Sequence, residues 1–256
     1  MLTSPQNPKI KELIALETKS RERKARGLFV VEGRREYERA LAAGFTPETV
    51  FVREGEAETS AADFVVSDRI YEKIACRGGT EGIVAVMRAR EITLQDLRLS
   101  PTPLILVLES VEKPGNLGAV LRTADAAGAD AVLVCDPLTD LYNPNLIRAS
   151  LGAVFSVPTV ACTSEEAHSW LVTRGIAILT AQLQDSRPYY ETDMVRATAL
   201  VFGTEDKGLS PFWRERADAH IRIPMAGRMD SLNVSVSAAI LAFEAVRQRN
   251  QQTATP

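Results

Sequence analysis

From Pro103 onward the chain alternates between short apolar runs and amphipathic stretches, and this alternation limits the fold more than any other feature. LILVLESV opens the series. It is an unbroken apolar run of the kind found in strands buried on both faces of a parallel sheet. The helical pattern LGAVLRTADAAGA follows, then strand AVLVCD, helix NLIRASLGAVF, strand VPTVAC and helix SEEAHSWLVTRG. Three further strands, IAILTAQL, ALVFG and IRIPM, complete it. Such alternation predicts an α/β domain with a mainly parallel sheet.

The first 92 residues read differently. NPKIKELIALETKSRERKARG has apolar residues near helical spacing, LFVVEG is a strand, and RREYERALAAG is a helix ending at Gly44. TVFV, FVVS and GIVAVMR are short strands. The expected organisation is a small α/β domain over 1–92, a linker over 93–103 marked by turn and proline signals, and a second domain over 104–250.

Composition excludes several classes. The chain is 45% hydrophobic and 25% charged, as in soluble globular proteins, with no run of about 18 apolar residues to span a membrane. MLTSPQNPKIKEL lacks the apolar core of a secretory signal. The net charge of −3 argues against a simple basic nucleic-acid binder. Residues 1–40, however, hold ten Lys and Arg against six Glu, a surplus of +4. That surplus fits either solvated mixed-charge faces or a local basic face for phosphates. Cys76, Cys135 and Cys162 are far apart in sequence, and with only His168 and His220 beside them they show no zinc spacing. No metal site is expected, and a reducing cytoplasm is the simplest compartment.

In parallel sheets ligands sit outside the carboxyl ends of the strands. Three loops qualify: EKPGNLGAVLRTADA, FGTEDKGLSP and PMAGRMDSLNVS. They are not common nucleotide motifs. GTEDKG has the glycine spacing of a phosphate loop but is followed by Leu209 where Lys is needed, and PGNLGAV has two glycines, not the dinucleotide fingerprint's three. In GRMDSLNVSVS the polar residues stand where a helix should start, which suits either capping or a ligand at free N–H groups.

Taken in order, NLGAVLRTADAAGAD, LVFGTEDKGLS and IPMAGRMDSLNVSVSAAILAFE resemble the three motifs of the SpoU/TrmH family of RNA ribose 2′-O-methyltransferases, in the SPOUT superfamily. YNPNLIRASLGAVFSVP adds to the likeness, which covers roughly 104–247. GLFVVEGRREYERAL and GIVAVM are similar to the small ribosomal-protein-like substrate-binding domain that precedes the catalytic domain in many members. The resemblance implies a C-terminal α/β trefoil-knot domain, a homodimer, S-adenosylmethionine as cofactor and RNA as substrate, with rRNA favoured over tRNA.

It also implies site residues. Arg122 matches the catalytic arginine, and Asn116, Glu205, Ser231 and Asn233 match the other catalytic positions. Gly203, Ile223 and Leu232 match cofactor contacts, and Thr180, ending IAILT, is a further candidate. The residues alone leave alternatives: Asn116 as a helix cap, Glu205 as a solvated turn residue, Arg122 paired with Asp125 one turn on. Stripping a proton from a free guanidinium near neutral pH costs about 7 kcal/mol. A charged arginine that grips phosphate and stabilises the developing alkoxide is therefore the cheaper role, with a general base as the other. A tRNA methyltransferase, a non-catalytic RNA-binding or ribosome-assembly factor on the same fold, and a small-molecule methyltransferase are the competing readings.

Overall fold

Lys19 divides the first predicted helix. In the computed structural model, which describes residues 1–56, 62–75, 82–228 and 231–253, α1 (Pro8–Thr18) and α2 (Ser20–Arg26) meet at Lys19, whose backbone is extended. The guanidinium of Arg23 donates to the carbonyls of Leu16 (2.6 Å) and Glu17 (3.1 Å), near the end of α1, and to Asp140 Oδ2 (2.6 Å). Arg23 is only 5% exposed, and a buried charge persists only with such partners. Arg26 pairs with Glu12 and Glu22, Lys9 with Glu12, and Arg35 with Glu36. Much of the N-terminal positive charge is thus matched internally, while Lys11, Lys19, Arg21 and Lys24 stay exposed.

The same unit continues with β1 (Leu28–Glu32), α3 (Arg34–Ala42), β2 (Pro47–Arg53), β3 (Phe64–Val66), α4 (Asp68–Ile74) and β4 (Ile83–Arg88). Its sheet runs β1-β4-β2-β3, with β4 antiparallel to both neighbours. Ile10, Leu13 and Leu16 of α1 and Ile70, Tyr71 and Ile74 of α4 join Val30, Phe51 and Val84 in one core. Cys76, Met229 and Asp230 lie outside the described residues.

The second unit starts at Ile92. Its elements are β5 (Leu104–Glu109), α5 (Pro114–Ala127) and β6 (Ala131–Cys135). The chain then contributes α6 (Pro144–Ala149) and α7 (Ala153–Ser156) to the first unit before β7 (Thr159–Cys162), α8 (Ser164–Thr173), β8 (Ala177–Ala181), β9 (Arg187–Pro188), β10 (Thr198–Phe202), α9 (Pro211–Arg216), β11 (Ala219–Arg222) and α10 (Val234–Thr253). The sheet order is β7-β6-β5-β10-β8-β11-β9, with every neighbouring pair parallel. After β8 the chain runs to the edge at β9, returns to the centre for β10 and goes out again for β11. It ends in α10, packed on α5.

Two placements differ from the sequence reading. Asp140–Ser156, expected inside 104–250, packs with the N-terminal unit. Tyr142 stacks on Phe29 at 4.4 Å between ring centroids and donates its hydroxyl to the Arg90 carbonyl (2.6 Å), and Phe155 meets Phe29 and Phe45. The predicted helix NLIRASLGAVF breaks at Leu151 and Gly152, both at positive φ. The stretch 93–103, expected as a linker, is packed. Leu94 is buried with Trp170 and Trp213 in the second unit's core, and Leu97 and Leu99 lie against it. Cys135 and Cys162 face each other across β6 and β7 as free thiols. The Cys162 thiol and burial push the Cys135 thiol up, so it stays protonated.

Candidate active site

The site forms where α5 and α10 begin and β10 ends. Pro114 occupies the first turn of α5, so Asn116 lies inside that turn rather than at the cap, which is Lys113. The Asn116 side chain is free for another partner. Its Nδ2 donates to Glu205 Oε1 at 3.0 Å, and Lys113 Nζ donates to Glu205 Oε2 at 3.0 Å. Asn233 precedes α10 and caps it. Its Oδ1 accepts from the Ser235 N–H (2.9 Å) and hydroxyl (2.6 Å), and its carbonyl accepts from the N–H groups of Val236 and Ser237. Its Nδ2 turns the other way, to Glu205 Oε1 and to Asn116 Oδ1 (3.2 Å). Capping and site-building are therefore served by one side chain.

Glu205 is the hub of this cluster. Lys113's hydrogen bond chiefly, then those of Asn116 and the Val234 N–H, hold its carboxyl below the usual range. It sits on a tight loop closed by paired main-chain bonds between Thr204 and Gly208 (3.1 and 3.0 Å), and the loop is tethered by Ser210 N–H to Glu109 Oε2 (2.8 Å). Gly203 starts this loop because nothing larger fits. A Cβ there would lie 2.2 Å from the Gly208 carbonyl carbon.

Two cavities share Val234 and the 203–209 loop, which carries Glu205. The larger, about 830 Å³, is lined by Glu109, Lys113, Asn116 and the 203–211 loop. The smaller, about 320 Å³, is lined by Gly203, Ile223, Ser231 and Leu232 among others. Three of the four expected cofactor residues thus share one cavity. Thr180 does not reach it: it is fully buried within β8, and its hydroxyl is 2.6 Å from His220 Nδ1. Arg122 lies six residues beyond Asn116, about 120° round the helix. It is exposed and lies outside the Glu205 cluster. Sequence reasoning missed Lys113, three residues before the first motif's Asn116, and Gln182, at the carboxyl end of a predicted strand.

Comparisons with known proteins decide the family. Residues 103–243 match the model of the SpoU rRNA Methylase family, and residues 7–85 match the MRM3-like substrate binding domain. The chain belongs to the SpoU rRNA methylase family. A relative from Bacillus subtilis (strain 168), the 23S rRNA (guanosine(2553)-2'-O)-methyltransferase RlmP, is 30% identical over 94% of this chain and 97% of its own. A solved RNA 2'-O ribose methyltransferase is 42% identical, with TM-score 0.86, over 97% of this chain and 99% of its own. An AdoMet-bound rRNA methyltransferase from Sinorhizobium meliloti is 30% identical, with TM-score 0.89, over 96% of this chain and 97% of its own. The SPOUT-type α/β fold behind a smaller α/β domain, the RNA ribose 2′-O-methyltransferase class and the S-adenosylmethionine cofactor expected from the sequence are all borne out at this level.

The smaller cavity fits that SpoU cofactor on its own evidence. Among the described residues, Gln182 Oε1 and Arg214 Nε on its wall are buried without a hydrogen-bond partner. Buried polar atoms are rarely left so. A ligand carrying both donors and acceptors would satisfy them, and Phe202, Ile223, Leu232 and Leu241 offer apolar surface for a purine.

Proposed function

We propose that this enzyme methylates a ribose 2′-hydroxyl of ribosomal RNA as a cytoplasmic homodimer, with the N-terminal unit holding the RNA and the second unit carrying out transfer. The observation that carries this reading is the Asn116–Glu205–Asn233 cluster, whose Glu205 stands on the loop that two cavities share. The smaller cavity takes the methyl donor and the larger takes the acceptor nucleotide. Bound S-adenosylmethionine supplies an electrophilic methyl on a sulfonium. The protein's own task is to hold the hydroxyl in line and lower the cost of its developing charge. Both Glu205 oxygens already accept hydrogen bonds, and its carboxyl is held low. It is a poor proton acceptor and a good anchor for the two amides. Arg122, exposed on α5, suits the RNA phosphate and the nascent alkoxide. Ser231 adds a hydroxyl on the donor side.

Ribosomal RNA is favoured because the relative from Bacillus subtilis is named for 23S rRNA. Exposed Lys11, Lys19, Arg21 and Lys24 supply cations for phosphates. The homodimer is supported by α10, where Val236 (46% exposed) and Phe243 (47%) share one stripe two turns apart with Ile240 between them. The facing free thiols support a reducing compartment. The test is incubation with isotopically labelled S-adenosylmethionine and separate pools of unmodified rRNA and tRNA, read by nucleoside mass spectrometry. A labelled 2′-O-methylnucleoside in the rRNA pool is expected. Label in tRNA alone overturns the substrate, and label in neither RNA overturns the reaction.

A further inference from the structure

We infer that Arg214 and Gln182 form the subsite for the amino-acid end of the methyl donor, Arg214 taking its carboxylate and Gln182 its ammonium. The inference rests on the reading of the smaller cavity as the donor site. The two residues come from different elements, α9 and the end of β8, and no motif includes them both. Two residues beyond the Val201–Thr180 pair of the β10–β8 ladder lie Gly203 and Gln182. Gly203 is pressed against the backbone of Gly208, and a Cβ on Gly208 would sit 3.4 Å from Arg214 Nη2. These close approaches link the guanidinium and the carboxamide through Gly203 and Gly208, and the wall of the cavity includes both.

Their chemistry is complementary to a zwitterion. Arg214 is a cation with no salt bridge among the described residues, and its Nε is buried without an acceptor. Gln182 Nε2 donates to the Gln184 carbonyl at 2.9 Å, which fixes the amide so that Oε1, an acceptor, is buried without a donor. An α-amino acid brings what each lacks: a carboxylate for the guanidinium's planar fork and an ammonium for the carboxamide oxygen. The cavity's other charged groups are engaged or differently placed. Arg222 donates to the Ser186 carbonyl, Glu205 is held by Lys113, and the Asp206 carboxyl is bound by Thr204. Lys207 is solvent-exposed on the loop.

The test is titration calorimetry of the wild type, Arg214→Gln and Gln182→Leu with three probes. These are S-adenosylmethionine, decarboxylated S-adenosylmethionine, which keeps the amine, and 5′-methylthioadenosine, which lacks the whole amino-acid end. Charge-assisted hydrogen bonds of this kind are worth about tenfold to a hundredfold in affinity. The wild type should prefer S-adenosylmethionine to the decarboxylated form by that factor. Arg214→Gln should abolish the preference while leaving 5′-methylthioadenosine unchanged. Gln182→Leu should weaken both amine-bearing probes and spare 5′-methylthioadenosine. Equal weakening of all three probes by Arg214→Gln would make it a structural residue and overturn the assignment, as would a wild type that binds the two amine-bearing probes equally. A wild type that binds none of the probes overturns the donor-site reading itself.

Discussion

At the scale of single residues, Glu205 shows how three loops distant in sequence become one site. Its carboxylate joins Lys113 and Asn116 on one side to Asn233 on the other. Because its folded pKa is depressed, the cluster contributes stability above the ordinary carboxylate range and loses it as pH falls through the lowered value. The Glu205 carboxylate is therefore ionised at neutral pH, and its part of the cluster loosens in acid. Arg122 lies outside this cluster, so its removal should leave the donor cavity undisturbed. Arg122→Ala is expected to abolish transfer while keeping S-adenosylmethionine affinity within about threefold, a change too small to count as a lost contact. Equal loss of both in calorimetry would make Arg122 structural. Gly203→Ala drives a Cβ into the Gly208 backbone. It should lower stability by about 1–3 kcal/mol and weaken donor binding. Unchanged denaturant midpoint and affinity would show that the loop yields freely.

At the scale of elements, strands were the legible part and partnerships were not. LILVLE reads as a doubly buried strand and is one, every residue of β5 being buried. The same kind of pattern could not show that Asp140–Ser156 packs on the N-terminal unit, because its contacts with Phe29 and Arg23 come from over a hundred positions away. Nor could it reveal α4 or α9, seven and six residues long, too short for helical periodicity to register. Asn116, Glu205 and Asn233, which the fold brings together, all lie inside motifs. Arg214 and Gln182 carry no motif, and Thr180 was assigned by strand position alone while its side chain turns to His220. One element-level consequence is testable. Burial, then the Glu32 carboxylate, push Glu17 at the end of α1 up to about 8, against the pull of Arg148. A raised folded pKa means stability present below the ordinary value of 4.5 and lost as pH rises towards 8. Glu17→Gln should therefore melt with the wild type at low pH and above it at pH 9, roughly a unit past the titration. A melting difference that ignores pH would contradict this.

At the scale of the whole molecule, two cavities share the loop that carries Glu205, and the proposed function divides the labour between them. On the proposed reading one would hold the donor and the other the acceptor, with Asn116 and Asn233 fixing Glu205 on the loop they share. The Val236–Ile240–Phe243 stripe of α10, exposed at Val236 and Phe243, is the proposed seam between two copies. Sedimentation should show a dimer for the wild type and a monomer for Phe243→Glu, whereas a monomeric wild type would remove that seam. The division of labour itself is tested most directly by one paired measurement on Glu205→Gln. Donor affinity is read by calorimetry and methyl transfer into rRNA by label incorporation, on the same preparation. Transfer should fall about a hundredfold, the cost of misplacing the reacting groups, while donor affinity stays nearly constant. If affinity falls in step with transfer, or transfer survives intact, the cluster is not what positions the reaction.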